Sequence, residues 1–554
     1  MKRNYFFLLL LSFVVSGICS MSYAADIYLS TSGNDTNDGL TPATAVASFS
    51  QAQTLAESGG VIHVSGMIDM TADPANTIAL AGTTTDCRAG IVIAKSITIQ
   101  GTSSASDGFN GTNGANTTRF FQLTNAAYAL TLKNLKLANG VAQSTSLALG
   151  GGAILFSNGN IMAENVVFHN NSATGNNAIT GGAIYLGGTN NVGTYFKNCT
   201  FTNNWADKCG AIYINNWAAG TASVPSIIQF ENCAFVANES RNVFGGSAMM
   251  IRSANNYTTL NIINSTFTQN KVLNATANGG AINLGAKAMG STNVNIINST
   301  ITGNTTNGLA TNSAGVYMLN TTANCIGNLY IKNSIIEGNT ASDGTYADLG
   351  VAANSPSTPD GGSSTVPGYI KIENSIIGRC ATDPLRIPAG NTPAPNHYNY
   401  LTELSVAADL IAKLVPFDAV TNSYKLYVGS AAIDFGNATF LSTYSSTDQL
   451  GNTRPFTGGK CFAGSVETTP MITTTVVENN SMSAIRFSKN AANQLVINND
   501  NHKEGIVSVF NSIGQRVAGA VLNAGETKLE VPGEGVYVLL FTVEGQISTG
   551  KAIF

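Results

Sequence analysis

One short unit, an Asn followed three residues later by an apolar residue, returns eight times along this chain. Asn134-Leu-Lys-Leu137, Asn165-Val-Val-Phe168, Asn198-Cys-Thr-Phe201 and Asn232-Cys-Ala-Phe235 form the first half. Asn264-Ser-Thr-Phe267, Asn298-Ser-Thr-Ile301, Asn333-Ser-Ile-Ile336 and Asn374-Ser-Ile-Ile377 form the second. The steps between successive Asn are 31, 33, 34, 32, 34, 35 and 41 residues. A fixed period of this size means a stacked array in which each unit buries its apolar face against the next. A second motif recurs between the Asn units: Gly151-Gly-Ala-Ile154, Gly181-Gly-Ala-Ile184, Cys209-Gly-Ala-Ile212 and Gly279-Gly-Ala-Ile282, with worn copies at Gly245-Gly-Ser-Ala-Met249 and Ser313-Ala-Gly-Val316.

The residues before each Asn say what stacks. Two positions back every copy is apolar, from Leu132 and Ala163 through Phe196 and Phe230 to Ile372. One position back the series reads Lys133, Glu164, Lys197, Glu231, Ile263, Ile297, Lys332, Glu373. Alternation with period two is a half-buried strand, and helical spacing is absent. Each unit is therefore one turn of a coil of short strands, and eight turns at the ~4.8 Å spacing of paired strands give a rod on the order of 40 Å long. The Asn ends a strand, yet the residue three places on must also face inward, so the chain bends at or just after it. Asn tolerates the left-handed conformation of a sharp corner, and its amide can bond the Asn above and below. In-register stacking turns the charged column into a cross-strand ladder of alternating sign, each pair worth at most about 1 kcal/mol. Cys199 and Cys233 share a register position, as a disulfide or as two packed thiols.

Composition agrees with an array. Charged residues are 10%, against roughly a quarter in an ordinary soluble chain, and hydrophobic residues are 44%. That excludes a charge-rich disordered chain and a coiled coil. A net charge of −4 offers no polybasic surface for nucleic acid. Lys2 and Arg3, the apolar run Tyr5 to Val15 and Ser22-Tyr-Ala24 read as a signal peptide over residues 1–24, cleaved before Ala25. A lipoprotein anchored through Cys19 is disfavoured by Ile18, and no later segment approaches a membrane span. The rest is expected to be exported and soluble. Of the 8 Cys, seven remain once Cys19 leaves, which suits neither a full disulfide framework nor any zinc spacing.

Residues 27–60 read as the cap of the first coil: a strand at Ile27–Ser30, a turn at Gly33–Gly39 and a short amphipathic helix within Ala45–Ser58 that buries Phe49, Ala52 and Leu55. Asp35-x-Asn37-x-Gly39 is a fragment of a calcium loop, but Val46 stands where the last ligand would be, so turn chemistry is the better reading. YLSTSGNDTNDGLTPATA followed by GGVIHVSG resembles the opening of secreted right-handed parallel β-helix proteins. GGAI alternating with NxxF resembles the repeats of polymorphic outer-membrane adhesins, and Ala432–Gly436 with Thr447–Arg454 resembles the last segment of such helices. The resemblance covers about residues 26–467 and implies an all-β fold, a right-handed parallel β-helix over 25–467 that carries the N-terminal cap. Fold does not fix activity. Residues 468–481 read as a Thr-rich linker. Over 482–554, short strands at Gln494–Asn498, Ile506–Phe510, Lys528–Val531 and Val536–Phe541 predict a small antiparallel β-sandwich. Val509–Val517, Gly535-Val-Tyr537 and Gly550–Phe554 are similar to type IX secretion C-terminal sorting domains. That likeness implies a passage through the type IX export machinery to the outer-membrane surface or exterior of a Gram-negative bacterium. A carbohydrate-binding sandwich is the plain alternative for this tail.

No nucleophile elbow, phosphate loop or zinc helix is present, and His63, His169, His397 and His502 have no triad context. Parallel β-helices often host polysaccharide lyases, which need cations near a uronate carboxylate and a Lys or Arg base. Equal offsets from successive repeats stack Trp205, Glu239 and Lys271, with Asp207, Lys208 and Arg241 beside them. Of these, Lys208, Arg241, Asp207 and Glu239 are the candidate catalytic residues of a lyase, which could also use Ca2+; the other reading of the cluster is two inter-coil salt bridges beside a packed Trp. Trp205, Tyr213 and Trp217 are candidate ligand-binding aromatics. The insertion Ala341–Gly368, with Asp343, Tyr346, Asp348 and Asp360, is a second place to look. The leading expectation is adhesion or glycan binding without catalysis, with no cofactor or metal and with a polysaccharide, a surface glycan or a protein as partner. A polysaccharide lyase or glycosidase of the β-helix type is the alternative.

Overall fold

The computed structural model describes residues 25–553 apart from short interruptions, the longest being 216–225, 285–292, 319–327, 352–369, 382–398, 402–411 and 468–484. The first of two compact units holds the coils, together with residues 416–424 and 431–467. It is a parallel β-solenoid whose complete coils visit four sheets. In one coil Ile184–Gly187 lies in sheet 4, Gly193–Lys197 in sheet 1, Thr200–Thr202 in sheet 2 and Trp205–Ala206 in sheet 3, before Ile212–Asn215 returns to sheet 4. Among the described residues sheets 1 and 2 have 11 strands each, sheet 4 has 10 and sheet 3 has 7. Each of these four sheets is parallel throughout, and the repeat copies pair in phase: Phe196 opposite Phe230, Phe201 opposite Phe235.

The corner between sheets 1 and 2 is the repeated Asn. All eight copies adopt positive φ, from +47° at Asn333 to +56° at Asn165. The bend returns the apolar residue three places on to the interior, where Phe168, Phe201, Phe235 and Phe267 stack at 4.7, 4.7 and 4.4 Å between ring centres. The Gly-Gly-Ala-Ile motif is the corner into sheet 4. Gly181 has φ +70°, and a Cβ on Gly182 would sit 2.1 Å from the Gly210 carbonyl oxygen of the next coil. The charged column pairs as expected: Lys197 lies 3.3 Å from Glu231, and Lys332 lies 3.5 Å from Glu373. Cys199 and Cys233 are buried free thiols, and burial together with Cys199 raises the Cys233 thiol well above its ordinary range.

A second Asn position was not read from the sequence, although it recurs six residues after the first. Asn171, Asn204, Asn238, Asn270, Asn304 and Asn339 form a fully buried ladder. In each step one Oδ1 accepts both the backbone N–H and the Nδ2–H of the coil before it, as Asn238 does from Asn204 at 3.0 Å each. Each Nδ2 also donates to a carbonyl, Asn238 to Phe201 at 2.8 Å. The ladder ends at Asp348, whose carboxylate accepts both donors of Asn339 at 2.8 Å. Asp348, singled out within the insertion, is thus a buried terminus for this network.

The N-terminal cap is as expected. Ser48 caps the helix Phe49–Leu55, Phe49 and Ala52 are buried, and Leu55 packs against the core. Val46 bridges Leu29 and so covers the first strand of sheet 1. Asp35 accepts from the backbone of Ala47 and Ser48 at 2.8 Å, and Asn37 donates to the Ala45 carbonyl, which is turn chemistry.

Residues 431–467 do not add a coil. They run back as a strap over the corner between sheets 1 and 2. Asn374 Nδ2 donates to the Phe435 carbonyl, Asn333 pairs with the backbone of Asn437, and Thr266 bonds Gln449 and Ser465. Arg454, fully buried, is 2.8 Å from Glu467 and donates to Asn264 Oδ1 at 3.0 Å.

The second unit comprises 468–554 with 413–415 and 425–430. Ile485–Lys489, Leu495–Asn499 and Gly525–Leu529 form a three-stranded antiparallel sheet. Gly505–Phe510, Arg516–Leu522, Val536–Val543 and Gln546–Ile553 form a four-stranded one. Leu495, Ile497, Val507, Val509, Leu539 and Phe541 contribute to one buried cluster.

Candidate functional site

The expected Trp205 cluster sits on sheet 3. Its strands are two residues long here, so Ala206 faces inward and Trp205 outward. Trp205 pairs in register with Glu239, and Glu239 with Lys271. The Arg241 guanidinium lies 3.5 Å from the centre of the Trp205 ring and its Nε donates to Glu239. The cation therefore covers one face of the indole that a sugar would use. Asp207 does not take Arg241. It is buried, and accepts from Thr174 Oγ1 at 3.3 Å and from the Gly175 N–H at 3.2 Å. Lys208 is held below the usual lysine range by burial and by Arg252, with Asp207 opposing.

Tyr213 lies on the next strand of sheet 4, buried with Leu155, Tyr185, Cys209 and Met250. Burial pushes its phenol up to about 12, and Arg252 donates to its oxygen at 3.4 Å. Its ring is therefore not an open stacking surface. Trp217, Tyr346 and Asp360 fall outside the described residues. Among the described residues no group of three His, Cys, Asp or Glu converges as a metal site would.

A concavity lies elsewhere, beside the strap's turn at Thr447–Gly451. It is a half-open cleft of about 480 Å³, within the range of about 300–1,000 Å³ common for small-molecule sites. Asn165, Asn198 and Asn232 of the corner ladder line one side, with Thr200 and Lys197 beside them. Thr421, Asn422, Thr447 and Gln449 line the other. The ladder is continuous here: Asn165 donates to Asn134 at 3.0 Å, Asn198 to Asn165 and Asn232 to Asn198 at 3.1 Å, and Asn264 to Asn232 at 3.2 Å. Its Asn side chains are exposed at Asn165 and Asn198 and buried from Asn264 onward, where the strap crosses. The chemistry available is hydrogen bonding from neutral amides and hydroxyls, with the half-exposed ammonium of Lys197, paired to Glu231, beside them. The sequence signalled the ladder but not the cleft, because the strap meets it from 183 residues away.

Comparison with known proteins finds no matching family model, no matching curated protein and no matching solved structure. Fold and site stand on their own geometry: the chain is a parallel β-solenoid. No helix among the described residues is long and apolar enough to cross a membrane.

Proposed function

We propose that this protein is an exported β-helix that binds glycan at or beyond the outer surface of a Gram-negative bacterium and does not cleave it. The observation that carries the reading is the cleft, whose lining of Asn, Thr and Gln side chains offers paired donors and acceptors to a hydroxyl-rich ligand and no free acid–base pair. A glycan array probed with the purified chain, run beside an assay for cleaved ends, tests it. Binding without product supports the reading, and turnover of any bound glycan ends it. The tail 482–554 fits a type IX sorting domain, removed near 468–481 on export. Mass spectrometry of the exported protein then finds a mature form without Lys551 to Phe554.

The lyase reading keeps one specific support, the lowered proton affinity of Lys208 beside Asp207 and Arg252. A screen of uronic-acid glycans for unsaturated ends addresses it. Activity that survives substitution of both Lys208 and Arg241 removes those residues from the chemistry.

A further inference from the structure

We propose that the outward face of sheet 1 is a second glycan surface, a track on which a neutral β-1,4-linked polysaccharide lies along the stack of coils with one sugar on each coil. This rests on the glycan-binding reading above and names a site apart from the cleft. The central outward column of sheet 1 carries the track. Met162 pairs in register with Tyr195, Tyr195 with Gln229, Gln229 with Asn261, Asn261 with Asn295 and Asn295 with Tyr330.

The column has a ring at each end and amides between. Met162 and Tyr195 are 51% and 38% exposed, although both are large and apolar in body. The Tyr195 ring fills the space that a side chain at Gly193 would take: a Cβ there would lie 2.7 Å from Cε2 and 3.2 Å from the hydroxyl. A ring laid along the strand in this way turns a face, not an edge, to a ligand on the sheet, and a face is what a sugar stacks on. At the other end the Lys332 ammonium lies 5.9 Å from the Tyr330 ring centre, so it does not rest on that ring as Arg241 rests on Trp205 at 3.5 Å. Between the rings Asn295 Nδ2 donates to Asn261 Oδ1 at 2.9 Å, Asn261 Nδ2 to Gln229 Oε1 at 3.4 Å, and Gln229 Nε2 to Glu231 at 3.2 Å. An amide has two donor hydrogens and two acceptor lone pairs. The half-buried Gln229 and Asn295 therefore keep capacity for the hydroxyls of a ligand.

Charge and spacing choose that ligand. In the neighbouring outward column three Lys and three Glu share the eight positions, with Lys197 and Glu231 at 3.3 Å and Lys332 and Glu373 at 3.5 Å. No net charge faces the track, which suits an uncharged polymer and gives a polyanion nothing to pair with. Amides on one side of an extended peptide recur about 6.6 Å apart and fall out of step with coils about 4.8 Å apart. A β-1,4-linked pyranose chain is a flat ribbon whose repeat, one ring and its bridging oxygen, is close to the coil spacing. Tyr195 and Tyr330 are four coil steps apart, about 19 Å, so five sugars span the track.

The test titrates the full chain calorimetrically with β-1,4-linked oligomers of glucose, mannose and xylose, each from two to seven units long. In the series that binds, affinity should climb with each added unit up to five and then level. Tyr195→Ala should weaken the five-unit oligomer at least tenfold, while Tyr195→Phe should keep the native affinity. The length series uses the native chain, so a variant that fails to fold leaves the test intact. Affinity that stops rising at two or three units, and that falls on Thr200→Ala and not on Tyr195→Ala, puts the oligomers in the cleft. That result overturns the track and leaves the glycan reading standing. Binding of no oligomer in any series also overturns the track, and the glycan array then decides the cleft separately.

Discussion

The two Asn ladders have the same residue type and the same coil spacing, so burial and backbone conformation should separate their energetics. Consider Asn238→Ala in the buried ladder. It removes the acceptor of the Asn204 N–H and of one Asn204 Nδ2–H, both at 3.0 Å, and the donor to Phe201 O at 2.8 Å. No water reaches these groups, so each orphan costs about 1–3 kcal/mol, and two orphaned donors with the lost carbonyl bond sum to about 4 kcal/mol. Asn198→Ala in the corner ladder loses two comparable bonds at 3.1 Å. Water replaces those, and the main cost is holding Ala at φ +53°, about 1–2 kcal/mol. The assay is urea unfolding of both variants, with hydrogen exchange at the Asn204 amide. Because a stacked array opens locally when one interface weakens, exchange should rise first in the coils next to residue 238. If Asn238→Ala costs no more than Asn198→Ala, the buried ladder does not hold the coils together as argued.

Further outcomes follow from other groups. Burial raises the Glu337 carboxyl to about 7, with the Ala412 N–H opposing and Asp348 adding to the rise. Its folded value lies above the unfolded one, so the folded chain holds more protons between about pH 4.5 and 7 and stability falls as pH rises through that window. Glu337→Gln should flatten that slope in thermal melts taken across it. Arg454→Met strands the buried Glu467 carboxylate at a cost of about 3–5 kcal/mol, so proteolysis should reach 446–467 while exchange in the Phe168–Phe235 coils stays slow. Arg241→Ala uncovers the Trp205 ring, shifting its fluorescence while lowering stability by no more than about 1 kcal/mol.

The fold was legible because its determinants are local and repeated. The Asn that must turn left-handed and the Gly-Gly that must let a neighbouring backbone approach are demands of single positions, stated in nearly every copy. Register followed from the same phase, so Trp205, Glu239 and Lys271 were stacked correctly. The partner of Arg241 was not. Offsets from the repeat placed it beside Asp207, but alternation along a strand puts residues 239 and 241 on one side, and the guanidinium reaches Glu239 and the Trp205 ring instead. The buried ladder had a signal, an Asn six residues after each corner Asn in six consecutive copies, and it was hidden by the commonness of Asn.

The strap left a subtler trace. In the column before the corner Asn, charge alternates except at Ile263 and Ile297, and both of these lie on the outward side of sheet 1. A solvated face has no reason to change from Lys and Glu to Ile. Both Ile are buried, as are Thr266 and Thr300 just past the corner, in the coils where Thr447, Gln449 and Ser465 make their bonds. Two apolar residues in an otherwise charged column thus mark one part of the covered stretch; the strap also meets Asn333 and Asn374, where the column carries the Lys332–Glu373 ion pair. Where the column stays charged on the other side, at Lys197 and Glu231, the same corner is open and the cleft begins. The repeat makes all eight corners equivalent as structure. The strap divides them into corners that hold the chain to itself and corners whose amide edges are still available to a ligand.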